Sequence, residues 1–253
     1  MANIGNYLYG FTDTGFQPEP ELRGLAGAPV RVISFREIAA VVSRHPVQRL
    51  MPSRNNIEPH HRVVRHVSSR VTLVPAAFGH ITDSESQILE VLRGNYEDIR
   101  DEIERLDHKC EMSVKLCWNV GNIFDHLVRT NGELRNLRDR VFRNRKPTMN
   151  EKLQVGGAFE ATLLRERERL TRVLLAAFDA VACDSVSSTP RSEKTVCELA
   201  LLVEQAHANE FRQALQAASG MFDSSFTFEY SGPWPPYSFV KLHLQSPGAS
   251  NAA

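Results

Sequence analysis

The chain lacks the features that most often announce chemistry. Its four cysteines, Cys110, Cys117, Cys183 and Cys197, form no C-x-x-C pair and match no common zinc spacing. They read as reduced thiols, three of them in strands where cysteine behaves as a small hydrophobe. There is no G-x-S-x-G, no Walker A and no G-x-G-x-x-G; "GLAG" (24–27) and "VGGAF" (155–159) fit none of these. An excess of one charge is also missing. Thirty basic residues balance 30 acidic ones, so no overall field draws nucleic acid or an anionic membrane. No run approaches the ~20 apolar residues of a membrane span. The opening "MANIGNYLYGFTDTG" has no basic stretch followed by an apolar one. It is therefore expected not to be a secretory signal, and the protein to be cytoplasmic.

What is present is a pattern of short strands and amphipathic helices. At 253 residues the chain accommodates one large domain or two small ones. "NYLYGF" (6–11) reads as a strand and "VRVISFREIAAVVSR" (30–44) as two more. Over 51–71, Ile57, His60, Val64, Val67 and Val71 recur at helical steps, with Asn55 or Asn56 as cap and Pro59 in the first turn. Residues 72–81 are expected to be extended. Over 82–107 the stripe Ile88, Leu92, Tyr96, Ile99, Ile103 and Leu106 predicts one helix with a kink near Gly94, opened by a Thr82–Glu85 capping box. "KCEMSVKLCWNV" alternates as a half-buried strand. Two helices on one face of a mostly antiparallel sheet would account for this half.

Residues 121–146 are Arg-rich and read as helix up to Pro147, and 151–182 as a long helix. Strands are expected at 183–190, 194–205, 224–232 and 237–245, with a helix at 206–220. The fold class is thus α+β: two modified ferredoxin-like domains joined by a helical segment. The boundaries expected are 1–125 for the first domain, 126–150 for a basic helical linker, 151–245 for the second domain, and 246–253 for a disordered tail.

Candidate sites are few. His60, His61 and His66 invite a metal reading, but His60 and His66 are about 600° apart around a helix and diverge; no metal or cofactor is expected. His60, Glu111 and Cys117 are the only groups an enzyme reading could recruit, and nothing makes them converge. The mixed charge around 135–168 reads as solvated helix faces rather than a phosphate-binding strip. "SGPWPPYSF" (231–239) holds Pro233, Pro235 and Pro236 with Trp234 and Tyr237. Proline cannot donate to a ladder, so this stretch is expected to be an edge or a rigid connection between two terminal strands. It either packs as a corner or offers an aromatic ridge to a partner.

Six stretches in order carry a resemblance: "YLYGF" (7–11), "AAVVSRHP" (39–46), "HHRVVRHV…TLVPAAFGHI" (60–81), "EMSVKLCW" (111–118), "EKLQVGGAF" (151–159) and "FEYSGPWPPYSFVKL" (228–242). Over residues 6–245 the chain resembles the gas vesicle protein F/L (GvpF/GvpL) family, closer to the F side, and the proline–tryptophan string is the most specific match. The resemblance implies a non-enzymatic accessory protein of gas vesicle formation, a minor shell-associated component whose partners are the apolar main shell protein, GvpA, and other gas vesicle accessory proteins, and which possesses two modified ferredoxin-type domains. It implies location at the gas vesicle, and in the cytoplasm before assembly. Trp234, Tyr237 and Phe78 are the residues singled out for partner binding. A reading of another class, a ferredoxin-like regulatory module that binds a small ligand, would require a concave, partly polar pocket.

Overall fold

The computed structural model describes residues 3–143 and 146–244. It is an α+β protein with two antiparallel sheets. Its contacts group 3–111 with 232–244 as one unit and 112–231 as another. This division differs from the expected boundaries at 125 and 150, which follow chain order. Residues 126–143 do not link two domains: they form helices whose Leu127, Val128 and Leu134 enter the core of the second unit. Residues 232–244 belong with the first unit.

In the first unit, strands β1 (Ile4–Asp13), β2 (Val30–Phe35), β3 (Ile38–Pro46) and β4 (Val74–Pro75) lie in the order β2-β3-β1-β4, and β5 (Ile81–Thr82) also pairs with β1. Tyr7, Tyr9, Val30 and Val41 face Val63, Val64 and Val67 of α1 (Arg54–Ser68). Leu8, Ile33, Ala40 and Val42 are equally buried, and strand alternation turns them to the opposite face. There α2 (Glu85–Gly94) and α3 (Tyr96–Arg105) pack on the sheet. The expected packing of both helical regions on one face is therefore corrected. "YLYGF" and "IAAVV" are apolar at successive positions, and such runs need cover on both sides. The expected single helix over 82–107 is also two helices. Asn95 interrupts it, with its side-chain Nδ2 donating to the Val91 carbonyl at 2.8 Å. The cap of α2 is Ser84, whose Oγ accepts from Gln87 N at 3.3 Å, in place of Thr82. Ser53 occupies the cap position of α1, in place of Asn55 or Asn56.

The second unit runs β6 (Lys109–Trp118), α4 (Ile123–Thr130), α5 (Gly132–Phe142), α6 (Met149–Phe178), β7 (Ala182–Ser188), β8 (Thr195–Glu204), α7 (Ala208–Ser219) and β9 (Phe226–Trp234). Its sheet has the order β7-β8-β6-β9, the β-α-β-β-α-β succession of ferredoxin-like folds. The first sheet repeats that arrangement: in both, the first strand lies between the third and the fourth. In the first unit the helix between the first two strands is reduced to a 3-10 turn at Leu25–Gly27. Lys115, on the central strand, reaches Glu198 and Glu229 on its two neighbours, each at 3.7 Å. Phe178 and Phe211 stack at 5.5 Å in the core beneath. A reciprocal capping box, Thr148 with Glu151, starts α6.

The strand expected at 237–245 does not form. A 3-10 turn, Tyr237–Phe239, follows β9, and the chain then runs without regular structure to Leu244. Pro235 and Pro236 supply no N–H to a ladder, and Phe239 is buried in the first unit. Pro233 lies on an edge strand, where its missing donor costs nothing in pairing. The stretch expected as a disordered tail, 246–253, lies outside the described residues.

Candidate partner-binding site

The three residues singled out by sequence come together around one helix. Tyr237 and Phe78 both pack on His60 of α1, with ring centroids at 6.3 and 5.8 Å. Trp234 lies about one turn further along the same helix, its ring 5.3 Å from the Arg65 guanidinium. Trp234 keeps 37% of its surface exposed while Tyr237 and Phe78 are half-buried. The arrangement is graded: a polar, buried floor at His60, and an apolar, open tip at Trp234.

The floor is a hydrogen-bonded relay. Gly79 N–H donates to the Tyr7 hydroxyl at 3.1 Å. Gly79 has φ +100°, in the left-handed region that a side chain rarely adopts. With its oxygen so engaged, Tyr7 donates its own proton to His60 Nδ1, 2.9 Å away. The proton on His60 then sits on Nε2 and is donated to the Tyr237 oxygen at 3.1 Å. Tyr9 stacks on the same imidazole at 5.8 Å, and its hydroxyl accepts Leu25 N–H and bonds Ser43, both at 2.8 Å. Gly24 is required beside it, since a Cβ there would come within 2.0 Å of the Tyr9 oxygen. Burial first, then the nearby His61 and His80, pushes the His60 pKa down from 6.5 to about 4. Burial likewise raises Tyr7 and Tyr237 above the usual phenol range. Such a site holds neutral groups in place. Replacing Tyr237 by Phe should remove one bond and lower stability by about 1 kcal/mol, with little change in structure; urea denaturation of both proteins measures it.

A second set of bonds fastens the segment beyond Tyr237. Glu111 accepts both Ser238 N–H at 2.8 Å and Ser238 Oγ–H at 2.9 Å. Glu102 forms a two-pronged pair with Arg105, both contacts 2.8 Å, and accepts Lys241 N–H at 2.6 Å. Arg105 also donates to the Phe239 carbonyl. Burial works to raise the Glu102 pKa, but Arg105 and the Lys241 amide outweigh it and hold the carboxyl below its usual range. Residues 233–241 are thus a strap held down by side chains of α3 and β6.

Family membership follows from comparison with known proteins. A family model described as "Gas vesicle synthesis protein GvpL/GvpF" matches residues 5–241. The chain belongs to the GvpL/GvpF family. Relatives include gas vesicle protein F of Dolichospermum flosaquae, 25% identical over 95% of this chain and 99% of that protein. Gas vesicle protein F of a Streptomyces species is 28% identical over 94% of this chain and the whole of its own length. The crystal structure of GvpF from an Anabaena species superposes with a TM-score of 0.82 at 23% identity, covering 94% of this chain and 99% of that one. A Microcystis aeruginosa GvpF structure gives 0.78 at 22%, with coverage of 94% and 99%. These superpositions agree with the two-sheet fold described above.

In this GvpL/GvpF chain the other sequence candidates have the following surroundings. His66 bonds Glu19 at 2.5 Å, beside Arg70 at 2.9 Å from the same carboxylate. Both line an open charged cleft of about 570 Å³ with Glu21, Arg23 and Arg62. His60 and Glu111 serve the strap, and Cys117 lies in the second unit. Among the described residues no group of three or more His, Cys, Asp or Glu could hold a metal ion, and no helix is long and apolar enough to cross a membrane. Glu102, Arg105 and Arg65 were not picked out from sequence. One signal existed: Glu102 sits between Ile99 and Leu106 on the buried side of α3. A carboxylate in that position needs a partner.

Proposed function

We propose that this protein is a gas vesicle assembly factor that binds the small, apolar main shell protein GvpA and supports nucleation or growth of the shell. In this reading it acts in the cytoplasm before assembly and remains with the gas vesicle as a minor component. Membership of the GvpL/GvpF family supports the process. The observation that carries the binding role is the exposed Trp234 ridge, mounted on a strap whose other side is anchored in the first unit. A subunit that polymerises through apolar surface is prone to aggregate before it is incorporated. A fixed aromatic ridge gives such a subunit a contact of low entropic cost, because the strap is already ordered. No catalytic group is invoked.

The test is co-expression of this chain with the shell protein, followed by affinity capture, together with deletion of its gene in a vesicle-forming host. Co-purification and loss of vesicles are expected. Failure to co-purify, with normal vesicles in the deletion strain, would contradict the proposal.

A further inference from the structure

The Trp234 ridge carries a charge that this chain leaves unanswered. The Arg65 guanidinium lies over the indole ring, 5.3 Å from its centroid. Arg65 is exposed and enters no ion pair among the described residues. A guanidinium held over an aromatic face keeps its N–H donors around its edge, free for a planar acceptor such as a carboxylate. Any partner that covers Trp234 also takes water away from Arg65. A guanidinium desolvated without a counter-charge costs more than covering one aromatic ring returns.

The rest of the exposed side of α1 supplies no such counter-charge. About 60° further round the helix, Arg62 is also exposed and in no ion pair; its Nη2 donates to the Arg23 carbonyl at 3.2 Å. Glu58 falls on the same side, nearer the start of the helix, but its carboxylate is with Arg54 at 3.7 Å. Glu19, in the cleft that Arg62 lines, is held by His66 at 2.5 Å and Arg70 at 2.9 Å. Glu21 lines that cleft together with Arg23, a cation of equal charge. We infer that the shell-protein segment that covers Trp234 carries a carboxylate beside its apolar contact, and that this carboxylate pairs with Arg65, with Arg62 as the second cation. The inference rests on the reading of Trp234 as a shell-protein contact. Recognition is then of an acidic apolar segment and not of apolar surface alone. The charge pair sets where the segment lies along α1 and rejects segments with Lys or Arg at that place.

Capture of co-expressed shell protein by the full chain, measured at increasing salt, tests the pairing. Wild-type capture should fall as salt rises from about 0.1 to 0.5 M. Arg65→Glu with Arg62→Glu should lower capture about tenfold at low salt and remove its salt dependence. Arg65→Lys with Arg62→Lys should retain most of it, because the charge is kept. In the shell protein, exchange of the answering carboxylate for Lys should lower capture by the wild type and restore it with the double Glu variant. Urea denaturation checks that each variant is folded. If the wild type captures no shell protein, the binding role of the ridge falls, and the charge pair with it. If Trp234→Ala lowers capture while charge reversal and salt leave it unchanged, the ridge stands as a contact and the charge pair is overturned. It is equally overturned if no carboxylate exchange in the shell protein restores capture.

Discussion

Between pH 6.5 and about 4 the folded protein is expected to lose about 3 kcal/mol of stability through one residue, His60. The unfolded chain takes up a proton there near 6.5, while the folded protein does so only near about 4. Across that interval the unfolded state binds more protons, so stability rises with pH. The gain is complete above 6.5 and absent below 4. The cause is burial among Tyr7, Tyr9 and Phe78, where an imidazolium would also face His61 and His80 and leave the Tyr7 proton without its acceptor. Glu102 adds a second, more acidic stage with the same sign. Its folded pKa is depressed, so its contribution is present above the ordinary carboxylate range and lost as pH falls through the folded value. Urea midpoints at several pH values should show both stages. His60→Gln, which keeps an amide between the two tyrosines, should flatten the first stage alone. An unchanged slope in that variant would contradict the assignment.

The second large effect concerns the strap. Phe239 is 1% exposed, and its neighbours tie down with bonds from Arg105, Glu102 and Glu111. Phe239→Ala should destabilise the protein by about 3–5 kcal/mol and release residues 233–244 to proteases. Phe239→Leu should retain most of the stability. Glu102→Ala should free the same segment, since it removes the acceptor of Lys241 N–H and the carboxylate paired with Arg105. Limited proteolysis with mass detection follows the cleavage sites. If Phe239→Ala costs less than about 1 kcal/mol, the segment is not integral to the first unit.

Period and alternation made most elements legible. β1, β3, β6 and β8 are apolar stretches of strand character, and α1 and α6 carry continuous helical stripes. The duplicated strand order could be suspected from two β-α-β-like halves. Three things could not be read. The break at Asn95 comes from a side chain competing for the Val91 carbonyl, whereas the apolar stripe runs on through it. Residues 237–245 read as a strand because Tyr237, Phe239 or Val240, Leu242 and Leu244 come close to alternating. What decides their conformation is the pair Pro235–Pro236 and the acceptors Glu102 and Glu111, which lie over a hundred residues away in sequence. The covering of both faces of the first sheet was visible in "YLYGF" only once its continuous apolarity is weighed against alternation. At the site, Trp234, Tyr237 and Phe78 were found from residue type and context. The polar groups beneath them were not, because a charge paired across the fold leaves no local mark.

The central claim is that Trp234 is a contact ridge carried by a fixed strap, and not a packed corner. It is tested most directly by measuring both stability and shell-protein capture for Trp234→Ala. The account predicts a loss of no more than about 1–2 kcal/mol, since the residue is 37% exposed, with a tenfold or greater drop in captured shell protein. A loss of about 3–5 kcal/mol, or undiminished capture by a folded variant, would contradict it.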